Sequence, residues 1–552
     1  MILDWIPVFT GMTKKHMSKK IFLILTIIGA ISVLFSVVQR TPSPPCFNAD
    51  EASFGYNAYS ILKTGRDEYG TTLPLRLKSF GDYKLPLYTY LSVPFIALFG
   101  LNEFGARALN IFLSFLLPFD VYLLAVELFK SKRAGIIAAF LTSVSLGLHI
   151  ISRHAHEAYL TTFLTTLTCY FLIKTLHSRN LRNIVFLVIS SILLLFSYHP
   201  GRLFILFFLG FAFIYALMQK QKNVTVPLLL CVAIVLFSLS DLAYNPTRLK
   251  NLAFFNNVGF NLKIQELKTE GGIKYLYNPL FVGLKEITLD HLTYFSPQFL
   301  IQNGDENNRF GFPGMSILTP LEYIFFFIGL YYIFKNKEKW RWFFLFLLMV
   351  SPLSASLSWS KESLTRSLFL LIPIIISASY GISATLYQIK KNNRLLFIFV
   401  LMIIGGFFLI TSWDYYLFHY PKQKTTIHSW QCGYSEVGAY IQENYQKYSH
   451  FYISKDVGMP YIFTLFYLKY DPEMYQKQAM LTAPDEYGFG QVEKFDKFIF
   501  EFKWPKDLQK NSVLIGSIDD FKNIPEQYKV DPSKLKSIKN YSETMFQIYE
   551  GN

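Results

Sequence analysis

The chain has 552 residues, of which 52% are hydrophobic, 18% aromatic and only 16% charged. Soluble domains carry about 25% charged residues, so the composition excludes a single soluble core, a disordered chain and a disulfide-stapled mini-protein. The net charge of +15 suits either a nucleic-acid binder or a membrane protein, and its distribution separates the two.

Residues 412–552 hold 16 Lys, no Arg and 18 acidic residues, a net of −2, and residues 1–411 hold 37 basic and 20 acidic residues, a net of +17. The excess falls in short clusters between apolar runs. These are Lys14, Lys15, Lys19 and Lys20; Lys130, Lys132 and Arg133; Lys174, Arg179 and Arg182; Lys220 and Lys222; Lys335, Lys337, Lys339 and Arg341; and Lys390, Lys391 and Arg394. Short loops rich in Lys and Arg stay cytoplasmic. No basic face interleaved with aromatics is present, so nucleic acid is not an expected partner.

A bilayer crossing needs roughly 20 apolar residues. In chain order the candidates are 20–38, 105–128, 134–149, 158–176, 184–198, 203–219, 225–241, 320–334, 342–357, 367–387 and 395–411. The run 86–100 would put the next basic clusters outside if it crossed, so it is expected to lie in the outer interface or to re-enter. The first run is too long for a cleaved signal peptide, and no small-residue cleavage site follows it. The expectation is a mainly α, polytopic protein with about 11 transmembrane helices (range 10–13). Its N-terminus is cytoplasmic and residues 412–552 form an external α/β domain. In that tail Ser435–Tyr448 reads as an amphipathic helix, and Phe451–Ser454 and Val513–Ser517 as strands. The segments 39–104 and 242–319 are the long external loops. Cys46 and Cys432 are both external, and their pairing stays open because two cysteines do not prove a bridge.

The external segments carry the chemistry. Asp50-Glu51 follows the first span, and Asp82-Tyr83-Lys84 precedes the interfacial run. A carboxylate at membrane level can act as a general base, and a lysine beside it can hold a phosphate. Asp50 also suits the cap of a helix beginning at Glu51 and Ala52. Ser152-Arg153-His154-Ala155-His156-Glu157 opens a span, where a helix N-terminus favours an anion. The two histidines are two residues apart and do not share a helix face, so a metal site is not expected there. Arg202 and Arg366 each sit at the outer end of a span. Lys84, Arg153, Arg202 and Arg366 are thus external cations where the charge rule disfavours them, which points to an anionic ligand at membrane level. His291–Leu300 followed by Gly304-Asp305-Glu306-Asn307-Asn308-Arg309 suits either a lid or a packed interfacial loop. Asp120 is a lone acid within the second span, compatible with an ion pathway or with pairing inside the bundle.

Several of these residues also resemble a known family in order along the chain. Asp50-Glu51, Asp82-x-Lys84-x-Pro86-Leu87-Tyr88, Gly105-Ala106-Arg107, Ser152-Arg153 with Glu157, Tyr198-His199-Pro200-x-Arg202, Tyr294-Phe295-Ser296-Pro297-x-Phe299-Leu300 and Arg366-Ser367 are similar to the pattern of the dolichyl-phosphate-mannose–protein mannosyltransferase family. Its relatives include the lipid A aminoarabinose transferases and other GT-C membrane glycosyltransferases. The resemblance spans about residues 20–390. It implies transfer of a sugar from a polyprenyl or dolichyl monophosphate to a hydroxyl of a protein, lipid or surface glycan, with inversion, on the outer face. It makes Asp50 the candidate base, accompanied by Glu51 and Asp82. Lys84, Arg153, Arg202 and Arg366 become candidates for the donor phosphate, and His154, Glu157, His199 and Tyr294 for other substrate contacts. Leu85 separates Lys84 from the proline that directly follows the lysine in one common family pattern. The Asp-x-Asp of metal-dependent relatives is missing, so a metal-independent reaction without cofactor is expected, with a divalent ion not excluded. A transporter or flippase of an amphipathic anion and a non-catalytic membrane scaffold are the competing readings. The tail is compatible with binding acceptor or with bracing the loops.

Overall fold

The apolar runs fold as helices. The computed structural model describes residues 18–39, 43–80, 82–178, 180–218, 229–230, 232–234, 236–237, 254–359, 361–483, 490–500, 511–522 and 532–551. The basic residues Lys14, Lys15, Arg179, Lys220 and Lys222 and most of the expected span 225–241 lie outside these.

The membrane part begins with α1 (Lys19–Val37), which Ser18 caps by accepting from the Ile21 amide. There follow α2 (Ala49–Thr64), a hairpin of β1 (Leu77–Ser79) and β2 (Asp82–Lys84), α3 (Leu87–Phe99), α4 (Glu103–Phe129), α5 (Lys132–Val144), α6 (Leu146–Ser152), α7 (Glu157–His177), α8 (Leu181–Leu195) and α9 (His199–Met218). Beyond come α10 (Val258–Glu270), α11 (Pro279–Thr293), α12 (Pro320–Lys335), α13 (Arg341–Val350), α14 (Leu371–Gln388) and α15 (Lys391–Asp414). Among the described residues four helices are by themselves long and apolar enough to cross a bilayer: α1, α4, Leu364–Gln388 and Lys391–Lys422. The pair α5–α6 is a further apolar unit, bent by 53° at Ser145. Backbone freed at such a bend is tolerated at membrane depth only when protein covers it. Here the Gly147 amide donates to the Ile317 carbonyl at 3.2 Å. Helix α3 has 13 residues, about 20 Å at 1.5 Å per residue, short of a bilayer core of about 30 Å.

Without water to exclude, membrane helices associate through close packing of small residues. Helices α12 and α14 do so at Gly329 and Gly381. A Cβ on Gly329 would lie 1.9 Å from the Ser377 carbonyl oxygen, and one on Gly381 2.5 Å from that of Phe325. The Ser377 hydroxyl donates to the Phe326 carbonyl at 2.8 Å across the same contact. Gly329→Leu is therefore expected to force these helices apart, at a cost of at least the 1–3 kcal/mol typical of overpacking. A thermal melt in detergent checks this, and an unchanged midpoint would show that the helices can slide.

The tail forms a mixed sheet in the order β4-β5-β6-β3-β7-β9-β8. Its strands are β3 (His450–Ile453), β4 (Met480–Leu481), β5 (Val492–Phe495), β6 (Phe498–Ile499), β7 (Ser512–Gly516), β8 (Lys536–Asn540) and β9 (Glu543–Glu550). Central β3 is parallel to β6 and β7, with Phe451 opposite Val513 and Ile453 opposite Ile515. Helix α16 (Tyr434–Asn444) precedes β3, and α17 (Pro460–Tyr467) follows it. Tail and membrane part pack together: Phe47, Ala52, Tyr56 and Ala106 share one core cluster with Ile427, Trp430, Phe463 and Phe466. A Cys46–Cys432 disulfide joins the two across 386 residues of sequence, with Cα atoms 5.3 Å apart.

Candidate functional site

The site is built on the first turn of α2. Its cap is Asn48, not Asp50. The Asn48 side chain accepts from the Asp50 and Glu51 amides, and the Glu51 carboxylate accepts from the Asn48 amide, a reciprocal capping box. Asp50 is thereby released from capping, and its side chain is 42% exposed. Its Oδ1 accepts from Lys84 Nζ at 2.8 Å and its Oδ2 from Arg309 Nη1 at 3.2 Å. Burial would raise the Asp50 pKa, but Lys84 and then Arg309 outweigh it and hold the carboxyl well below the usual range. Lys84 comes from the end of β2 and lies over the Phe54 and Phe80 rings, at 4.5 and 5.1 Å. The hairpin thus delivers the lysine against α2 without a neighbouring proline being needed. The side chain of Asp82 lies outside the described residues, and its backbone pairs with Ser79.

Glu51 has a different environment from its neighbour. It is fully buried, and Arg107 of α4 grips it in a two-pronged contact, Nε to Oε1 at 2.6 Å and Nη2 to Oε2 at 2.8 Å. The Ala155 amide also donates to Oε1 at 2.8 Å. Glu51 therefore ties α2 to α4 and to the 153–156 turn, and has no face toward solvent. Arg107 also donates to the Cys46 carbonyl at 2.8 Å.

Arg153 is likewise fully buried, with its guanidinium donating to the carbonyls of Phe35, Val38 and Ser43. His154 donates from Nδ1 to the Ile150 carbonyl at 2.9 Å and stacks on Phe310. Burial pushes its pKa well below the ordinary value. His156 caps α7, accepting from the Ala158 amide at 3.0 Å, and meets Tyr198 edge-on. Glu157 lies 3.9 Å from His156 Nδ1. Arg202 donates from Nε to the Leu195 carbonyl at 2.9 Å and lies 5.5 Å from the Phe237 ring. His199 is the first residue of α9. Arg366 donates to the Ser358 hydroxyl. It also lines a small cleft of about 30 Å³ with Tyr198, Thr161, Thr165 and Thr365.

The loop after α11 joins these parts. Tyr294 is buried, and its hydroxyl accepts from the Ser363 amide at 2.9 Å. Asp305 accepts from the Leu364 amide at 2.6 Å, two residues before Arg366, and burial raises its pKa to about 7. Four residues further on, Arg309 meets Asp50. Of the expected site residues, the structure thus brings Asp50 and Lys84 together and adds Arg309. Arg309 carries the signal that marked the others, a cation in a segment expected to be external. Asp120 stands apart in α4, with no hydrogen-bond partner for either carboxylate oxygen among the described residues.

The fold is shared with solved membrane-protein structures. It is similar to the crystal structure of ArnT from Cupriavidus metallidurans in the apo state, at a TM-score of 0.51 and 14% identity over 96% of this chain and 97% of that one. The same protein bound to undecaprenyl phosphate gives 0.50 and 12% identity over 96% and 98%. The apo oligosaccharyltransferase of Archaeoglobus fulgidus gives 0.51 and 15% identity over 81% of this chain. The chain spans 63% of that archaeal protein's length. The resemblance to the dolichyl-phosphate-mannose–protein mannosyltransferase family stands: residues 84–244 match its family model. Lys84 opens the matched stretch, while Asp50, Arg309 and Arg366 lie outside it. No curated protein sequence matches the chain as a relative.

Proposed function

We propose that the protein transfers a sugar from a polyprenyl monophosphate to a hydroxyl acceptor on the outer face of the membrane, with inversion and with Asp50 as base. The observation that carries this reading is a carboxylate held between two cations, Lys84 at 2.8 Å and Arg309 at 3.2 Å. Asp50 takes the proton of the acceptor hydroxyl as its oxygen attacks the anomeric carbon. The bond from that carbon to the phosphate oxygen breaks, and the polyprenyl phosphate leaves with the electron pair. The developing negative charge needs preorganised cations. Lysine has three donors and arginine five, so Lys84 and Arg309 can hold Asp50 and a phosphate together. Arg309 Nε has no partner among the described residues. Because a bound phosphate competes for both cations, it weakens their hold on Asp50 and makes the carboxylate a stronger base only when donor is present.

In this reading Glu51 and Arg153 hold the site's frame, while Arg202 and Arg366 remain candidates for the donor phosphate, Arg366 from the cleft beside Tyr198. Asp82 remains a candidate second catalytic acid, and His154, Glu157, His199 and Tyr294 remain candidates for sugar or acceptor contacts. The Cys46–Cys432 disulfide favours an oxidising, extracytoplasmic compartment for the site, in agreement with the basic clusters facing the cytoplasm. Proteins, lipids and surface glycans all supply the hydroxyl this chemistry needs.

The test is transfer by purified protein from a panel of polyprenyl-phosphate sugars. No transfer or donor binding with any of them overturns the proposal, and donor flipping in proteoliposomes without transfer would favour a flippase. Lys84→Ala gives a second check through pH. Asp50, with its pKa depressed, contributes stability above about pH 4 that is lost as pH falls through its folded value. Removing Lys84 takes away the strongest opposing cation, so the Asp50 pKa rises. The acid limb of the kcat/KM profile is expected to move to higher pH than in the wild type, and an unmoved limb would separate Lys84 from Asp50.

A further inference from the structure

The tail reaches the Asp50–Arg309 pair from both sides through one short stretch. The buried Tyr420 hydroxyl sits within hydrogen-bond distance of the Asn308 and Arg309 carbonyls, at 2.9 and 2.7 Å, and accepts from Trp430 Nε1 at 2.8 Å. Trp430 in turn packs edge-on against His154. The next residue, Gln431, accepts through Oε1 from the Ala49 amide at 2.9 Å, directly before Asp50. Cys432 then bonds Cys46, whose carbonyl is held by Arg107. One end of the stretch thus grips the backbone of Arg309, and the other grips the backbone that carries Asp50.

The local backbone shows that this placement is imposed. Gln431 has φ of 55°, in the left-handed region, and is followed by Gly433 at 95°. An L side chain adopts that conformation only at a cost, and it persists where the surroundings over-determine it. Glycine would adopt it freely but would lose the acceptor that holds Ala49.

Resting on the glycosyltransferase reading above, we infer that Tyr420–Cys432 is a positioning segment. In it Tyr420 and Gln431 set the distance between the base Asp50 and the cation Arg309. Neither side chain touches substrate. They act through the backbone of residues 49 and 308–309. The tail is therefore a working part of the transfer site. The physical reason is geometric: a misplacement of about 1 Å costs as much as 10²-fold in rate, and loops hold such tolerances only when a second layer of contacts fixes them.

The test compares full-length Gln431→Gly, Gln431→Glu and Tyr420→Phe with the wild type, using three readouts. In hydrogen–deuterium exchange, Gln431→Gly is expected to raise exchange across residues 46–52, and Tyr420→Phe across 304–311, with α4 unchanged. In thermal melts Gln431→Gly is expected to keep the wild-type midpoint, because the glycine relieves the left-handed strain. In transfer assays it is expected to lose about 10-fold in kcat with little change in donor KM, while Gln431→Glu, which keeps the acceptor oxygen, retains turnover. Unchanged exchange in both peptides overturns the inference, whatever the activity. A parallel fall in melting point and turnover for Gln431→Gly also overturns it, because that marks a merely structural role. Absence of transfer by the wild type overturns the glycosyltransferase reading, while the exchange data still decide whether the segment holds the pair.

Discussion

Asp50→Asn is expected to lower turnover by about 10²–10⁴-fold, the range a positioned general base contributes, while leaving the fold and the donor affinity nearly intact. The substitution keeps size and shape at a side chain that is 42% exposed, and helix capping stays with Asn48 and Glu51. Lys84 and Arg309 lose their anionic partner and become more available to a phosphate, so donor binding is expected to hold or tighten. Transfer kinetics with separate measurement of polyprenyl-phosphate binding check this. Full turnover in the variant would remove Asp50 as base. Loss of donor binding with turnover would instead make the carboxylate an organiser of the two cations.

Arg107→Ala is expected to have the largest effect on stability. It leaves Glu51 as a fully buried carboxylate without its two-pronged partner. Breaking a buried pair from one side costs about 3–5 kcal/mol, a large share of the 5–15 kcal/mol that stabilises a typical domain. The loss also frees the Cys46 carbonyl and loosens the link from α2 to the Ala155 amide. Arg107→Lys is expected to rescue little, since a point charge does not reproduce two parallel bonds. Replacing both partners, Glu51→Gln with Arg107→Met, is expected to recover much of the melting temperature, because no unpaired charge then remains. A single Arg107→Ala variant that melts like the wild type would show that water reaches Glu51.

Adjacent residues Asp50 and Glu51 show how far a sequence reads. Both are acids just past the first span, and both were candidates for catalysis on that ground. Sequence alone does not say which one faces the site, because that depends on where α4 crosses α2. The helix turns Glu51 onto Arg107 and leaves Asp50 toward Lys84. Arg153 is a similar case. Like Lys84 it is a cation expected outside, yet the backbone carbonyls of Phe35, Val38 and Ser43 consume its donors. Arg309 shows the reverse, since it lies in the polar stretch 304–309 that suited both a lid and a packed loop. The structure gives it a third place: its amide is held by the Asn307 side chain and its carbonyl by Tyr420, and it reaches Asp50 across 259 residues of sequence.

By itself the sequence determined the helical membrane character, the segregation of charge and the set of segments between apolar runs where the candidate acids and cations lie. Those properties are local: a run of apolar residues has to become a helix in hydrocarbon to satisfy its own backbone, and clustered lysines and arginines mark a side of the membrane. Only the tertiary structure decided which of the external charges meet, that Cys46 pairs with Cys432, and that the tail shares a core with α2 and α4. These are long-range pairings. Whether a charge is used for binding or consumed in holding the fold depends on which partner the folded chain brings within about 3 Å, and no spacing along the sequence encodes that distance.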